Sequence, residues 1–170
     1  MADNGWSSHG DEIMRIAGLG LIVLILSLWT GAASAQGDEI SEGRAMIQAG
    51  REQVMRAELP LTEAEAAAFW PVYAEYQAQT AAISDRYAKV IAEFVERYDN
   101  ADFNDAYADR LLEDYFLIRQ ELLDVRKKFL PQFKAAMPAL KLARFYQLEN
   151  KISAEIDAQL AIAVPLIDPS

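Results

Sequence analysis

Four aspartates crowd one polar stretch of the chain: Asp99, Asp102, Asp105 and Asp109. Carboxylate oxygens at that density are the donors hard cations accept, Ca²⁺ above all. The stretch Asp99-Asn100-Ala101-Asp102-Phe103-Asn104-Asp105 lacks the alternating D-x-D-x-D-G arrangement and has no glycine for the sharp loop such a site needs. Solvated helix caps are the plainer reading, and no metal site is assigned. Glu113 and Asp114 form a second acidic pair, the kind of grouping that does general acid–base work. Neighbours on a helix point about 100° apart, so these two carboxylates do not converge on one reacting atom. The chain has no cysteine and one histidine, His9. Thiolate chemistry is therefore excluded. The commonest general base and transition-metal ligand is confined to a segment expected to be removed. No Ser/His or Ser/Lys constellation stands out. These residues argue against an enzyme, and no catalytic residue or cofactor is expected.

That removable segment is an export signal. Arg15 precedes an apolar run from Ile16 to Trp29, and Ala33-Ser34-Ala35 matches the A-x-A cleavage pattern. The run of 14 residues is short of the roughly 20 needed to span a bilayer. Residues 1–35 are read as a signal peptide cleaved after Ala35. This leaves one helical domain over 36–170, in the periplasm and without a stable membrane span. An uncleaved signal anchor is the alternative. Met14 is the expected start, since the thirteen preceding residues carry Asp3, Asp11 and Glu12 and no Lys or Arg; a long but functional n-region is the alternative. With no cysteine after the run, lipid anchoring is excluded.

Residues 36–170 carry 15 Lys+Arg and 23 Asp+Glu, a net charge of −8. A nucleic-acid binder needs a cationic face for phosphate contacts, so no nucleic-acid partner is expected. Charge is also segregated: residues 93–124 hold ten acids and three bases, and residues 126–151 hold seven bases and one acid. This describes either ordinary solvated faces with local pairs or a surface biased for self-association or client capture.

Everything from about Glu39 to Ala163 reads as helix. A first helix over roughly 39–57 has irregular apolar spacing through Ile40, Met46 or Ile47, Met55 and Leu59, and Pro60 breaks the chain. Thr62 and Glu65 form a capping box that opens a long helix. Phe69, Tyr73, Tyr76, Thr80, Ile83, Tyr87, Val90 and Phe94 then recur in steps of four and three, a heptad seam. Pro71 is expected to kink it. After the polar turn, Asn104 or Asp102 caps a second arm whose seam is Tyr107, Leu111, Tyr115, Ile118, Leu122, Val125 and Phe129. Pro131 is expected to kink or end that arm. Pro138 opens a last helix with Phe145, Leu148, Ile152, Ile156 and Leu160 on its face, and Pro165 ends it. The fold class is all-α: an elongated antiparallel helical hairpin with a short N-terminal helix and a C-terminal helix folded back.

The densest stretch joins Leu61, Thr62 and Glu65 to Phe69, Trp70, Tyr73 and Tyr76. Two uses of these aromatics are open: filling the junction with the last helix, or staying exposed to bind apolar segments of other proteins. Leu61-Thr62-Glu63-Ala64-Glu65 resembles the LTxxQ motif of the Spy/CpxP-type periplasmic helical proteins, with Glu65 in place of the glutamine. A second copy at Met137-Pro138-Ala139-Leu140-Lys141 matches poorly. The resemblance implies a cradle-shaped helical dimer acting as an ATP-independent chaperone or envelope-stress adaptor. Its partners would be unfolded or envelope proteins, met by Phe69, Trp70, Tyr73 and Tyr76. A thin hairpin leaves its seam half open, which also favours a homodimer. The alternative is a structural module of the envelope with one dedicated partner and no holding activity.

Overall fold

The computed structural model describes residues 36–168; the expected export signal, with His9, Met14 and the run Ile16 to Trp29, lies outside the described residues. The described residues form four helices: α1 Gln36–Glu58, α2 Glu63–Asp99, α3 Asp105–Ala136 and α4 Ala139–Ala163. They contain no strand, so the all-α class expected from the sequence holds. The helices group into two units, α2 with α3 and α1 with α4.

The α2–α3 unit is the expected antiparallel hairpin. Its first helix opens on the capping box: the Glu65 N–H donates to Thr62 Oγ1 (3.3 Å), and the Thr62 N–H donates to Glu65 Oε2 (2.7 Å). Two of the donors a helix start leaves unpaired are thereby satisfied. The other end of α2 closes on a turn in which Ala101 adopts φ 51, the left-handed region. The Ala101 N–H reaches Tyr98 O (3.1 Å) and the Asp102 N–H reaches Arg97 O (2.9 Å), the paired bonds of a Schellman motif. Of the two expected caps for α3, Asn104 is the one used; its Oδ1 accepts from the Tyr107 N–H at 3.0 Å.

Between the arms, Phe69 meets Phe133 (ring centroids 5.6 Å) and Tyr76 meets both Phe129 (5.7 Å) and Phe133 (5.6 Å). Further along, Gln79 accepts from Lys128 (2.9 Å), Arg86 pairs with Glu121, and Glu93 pairs with Arg110. Partners recede along α3 as positions advance along α2, which fixes the antiparallel register. At the turn end Phe94, Phe103 and Tyr107 close the seam.

Of the two roles expected for Pro131, kinking or ending the second arm, the structure excludes the ending, since α3 runs on to Ala136. The proline forfeits one backbone bond, but Phe129 and Phe133 on either side are fully buried, and each contributes about 1.5–3 kcal/mol by burial. Tyr115, expected in the seam, is exposed. The helix ends at Met137, which is extended (φ −155, ψ 159) because the following Pro138 disfavours helical backbone. α2 likewise continues as helix past Pro71.

The α1–α4 unit buries Val54, Met55 and Leu59 from its first segment and Leu142, Phe145, Leu148, Ile152 and Leu160 from its last helix. The side chains of Ile40 and Met46 lie outside the described residues. Two ion pairs join the helices. Arg51 Nη1 lies 3.2 Å from Oε2 of the buried Glu149. Arg144 donates from Nε to the Glu58 carbonyl (2.6 Å) and from Nη2 to Glu58 Oε2 (3.0 Å). The first of these satisfies a carbonyl that the end of α1 would otherwise leave open.

Candidate functional site

Of the four aromatics expected to bind other proteins, three are committed to the hairpin interior. Phe69, Tyr73 and Tyr76 are buried, with Phe69 and Tyr73 stacked at 5.2 Å. Phe69 and Tyr76 pack against Phe129 and Phe133 of α3. Trp70 alone keeps part of its surface, its ring edge-on to Phe69 (5.0 Å) and Tyr73 (5.7 Å). Leu61 is half-buried, and Thr62 and Glu65 are occupied in capping. The distinctive sequence stretch is therefore chiefly the hairpin's structural corner.

The exposed apolar surface of the hairpin lies elsewhere. Along α3, Phe116 is 65% exposed and Leu112 55%, with Leu117, Leu123 and Tyr115 also open to solvent. At about 100° per residue, Leu112, Phe116 and Leu123 sit between about 120° and 160° round the helix from the buried Ile118. They form a row on the side away from the seam, and Leu117 stands off it. Single exposed leucines are ordinary on any surface, and Leu140 and Ile162 on α4 are of that kind. An ordered row holding an aromatic is the feature that marks interaction faces. Arg119 lies between the row and the seam, about 100° from Ile118, its guanidinium over the Tyr115 ring (5.2 Å) and the Tyr87 ring of α2 (5.4 Å).

The row has a sequence signal. Leu112, Phe116 and Leu123 are four and then seven apart, as regular as the seam itself. α3 therefore carries two apolar faces where the seam pattern alone implies one.

Charge frames the row. From Asp105 to Asp124 the helix carries six acids and two bases; from Val125 to Ala136 it carries four bases and no acid. Among the acids considered for metal binding, Asp102 is paired with Arg97 at 2.9 Å. Among the described residues no group of three or more His, Asp or Glu side chains is placed to hold an ion. Tyr107, beside the turn, has its phenol pushed above the ordinary value by burial. Glu93 adds to that shift, and Arg97 and Arg110 oppose it. Both guanidinium groups lie over its ring, at 4.4 and 5.2 Å, so this cluster cements the turn.

No protein family, curated protein or solved structure matches this chain. No helix among the described residues is long and apolar enough to cross a membrane.

Proposed function

We propose that the chain is exported to the periplasm, loses residues 1–35, and acts there as an ATP-independent, chaperone-like protein. In this reading it holds apolar segments of unfolded or envelope proteins, performs no reaction, uses no cofactor and self-associates as a homodimer. The single observation that carries it is the exposed row of Leu112, Phe116 and Leu123 with Tyr115 beside it. A monomer gains nothing from leaving such a row in water, and its acidic and basic flanks allow contact with segments of either charge. The likeness of Leu61-Thr62-Glu63-Ala64-Glu65 to the LTxxQ motif agrees with this activity. A second reading, one dedicated envelope partner, is favoured by the burial of Phe69, Tyr73 and Tyr76. That burial leaves a narrow row rather than a broad aromatic face.

Light scattering of an unfolding client, without nucleotide, separates the two. The purified protein is expected to suppress aggregation near stoichiometric ratios, and Phe116→Asp to weaken this severalfold. The variant should keep its stability within about 0.5 kcal/mol, as exposed sites generally do. Ile162→Asp, at a more exposed position on α4, should change nothing. No suppression at severalfold excess would sink the holding activity and leave the dedicated partner.

A further inference from the structure

We infer that the segment this row takes is an amphipathic helix of ordered charge, with apolar residues at heptad spacing, a basic end over Asp109 and Glu113, and an acidic end over Lys127 and Lys134. This rests on the proposed function, whose row it shares, and adds the kind of segment that is held.

Phe116, Leu123 and Leu130 follow one another at intervals of seven, and Leu112 stands four before Phe116. All four fall between about 120° and 160° round α3 from the buried Ile118. Leu130 is half-buried and the other three are exposed. From Leu112 to Leu130 the line runs 18 residues, about 27 Å of helix at 1.5 Å per residue. Spacing of this kind keeps the contact on one side when two helices lie lengthwise. Backbone chemistry also selects a helix. α3 spends its own N–H and C=O groups within its turns, so its outer face offers a bound segment only side chains. An extended segment would leave the polar groups of its covered side unpaired, whereas a helix pairs its own.

Direction round α3 sorts the charges more sharply than position along it. Within about 80° of the row, the acids are Asp105, Asp109 and Glu113, all before Phe116. On that side the bases are Arg119, Arg126, Lys127 and Lys134, all after it. Asp114, Glu121 and Asp124 lie farther round, Glu121 in its pair with Arg86. Arg110 and Lys128 are turned to α2, where they meet Glu93 and Gln79. Asp105, Asp109, Glu113 and Lys134 are exposed. Lys127 lies 3.8 Å from Asp124, an exposed contact of little worth. A segment of one sign along its whole length finds one half of the row attractive and the other repelling. A segment basic at one end and acidic at the other is attracted at both. Acids in the first turn and bases in the last are also what the helix dipole favours. A helix in that ordinary order matches the row when it runs antiparallel to α3.

Such a segment is a marginal helix alone in water. An unfolded chain therefore offers it transiently, and the row draws it from that ensemble. Apparent affinity should rise with the fraction of the free segment that is already helical.

The purified protein is titrated with synthetic peptides of about 18 residues, the length of the row, followed by fluorescence anisotropy and far-UV circular dichroism. The first peptide has apolar residues at heptad spacing, glutamates in its first turns and lysines in its last. A second keeps that composition and apolar spacing but mixes the charges along its length. A third keeps the charged ends and scrambles the apolar positions. The first is expected to bind and gain helix, the second to bind on the order of tenfold more weakly, and the third not to bind. Phe116→Asp should abolish binding. Lys127→Glu with Lys134→Glu should weaken the first peptide and favour one with lysines at both ends. Equal affinity for the first two peptides, binding without a gain of helix, or indifference to the lysine reversals would overturn the inference. So would failure to bind any peptide, and a protein that then sediments as a dimer dissociated by Phe116→Asp would have a second copy on the row. Any of these results beside suppressed client aggregation leaves the holding activity standing without this specificity. Binding as expected with no suppression sinks the holding activity and leaves the helix site standing.

Discussion

Tyr107 shows how one residue at the turn can report on the whole hairpin. Its ring is clasped by Arg97 and Arg110, and its phenol is buried, with its ionisation pushed above the ordinary value near 10. The folded chain therefore keeps this proton to higher pH than the unfolded chain does. Below about pH 10 both states are protonated and the group makes no pH-dependent contribution. Above it the unfolded chain ionises first, so the folded state loses stability as pH rises through the folded value. Tyr107→Phe keeps the ring under both guanidinium groups and removes the titration. Urea unfolding at pH 8 and at pH 10.5 should show a smaller alkaline loss in the variant than in the parent. Equal losses would mean that burial at this position does not govern the phenol. The aromatics divide along the same line. Phe69, Tyr73 and Tyr76 have their energy in the core, and Phe116 has its surface free for others.

The best-specified element is the turn between α2 and α3, and it contains one local conflict. Ala101 occupies a left-handed conformation (φ 51) that costs a residue with a Cβ roughly 1–2 kcal/mol, and glycine is the usual occupant. Ala101→Gly relieves that cost but returns about 0.4–1 kcal/mol through the freer unfolded chain. The expected net is stabilisation of up to about 1 kcal/mol, read as a higher thermal midpoint; a lowered midpoint would show that the turn does not hold Ala101 in this conformation. Much of this element was legible in advance, because caps are local chemistry. Thr62 with Glu65, and Asn104 with the Tyr107 N–H, are set by residues three apart. The prolines were harder to read. Pro131 breaks a bond that the sequence shows, while the burial of Phe129 and Phe133 that carries the helix past it depends on α2, far away in the chain. Tyr115 was misplaced for a related reason: the seam of α3 drifts round the helix through Asp114 and Glu121, which are half-buried, and an apolar count skips both. The exposed row was hidden by its own regularity, since a second apolar periodicity on one helix looks like width of the first.

At the scale of the molecule, the pairing of α1 with α4 is the arrangement least visible in the sequence. The irregular spacing of Val54, Met55 and Leu59 gives no seam, and the ion pairs that join the helices lie 98 positions apart for Arg51–Glu149 and 86 for Arg144–Glu58. Local charge patterns such as Arg56–Glu52, four apart, are easy to see and worth only about 0.3–0.5 kcal/mol. The distant pair matters more because Glu149 is buried, with 2% of its surface exposed. Removing one partner of a fully buried pair costs about 3–5 kcal/mol, and the partial exposure of Arg51 (16%) places this case toward or below the lower end. Glu149→Ala leaves the Arg51 guanidinium without that carboxylate, and Arg51 and Glu149 both belong to the α1–α4 unit. Hydrogen exchange in the variant should therefore quicken at the amides of α1 and α4 while those of Ile83, Phe94, Ile118 and Phe129 keep the parent's protection. That outcome follows if each unit is stabilised by its own core, the aromatic seam in one and the Val54–Leu160 set with its ion pairs in the other. Equal loss of protection in all four helices would instead make the chain a single cooperative body. Occupation of the exposed α3 row would then stabilise α1 and α4 as much as the hairpin.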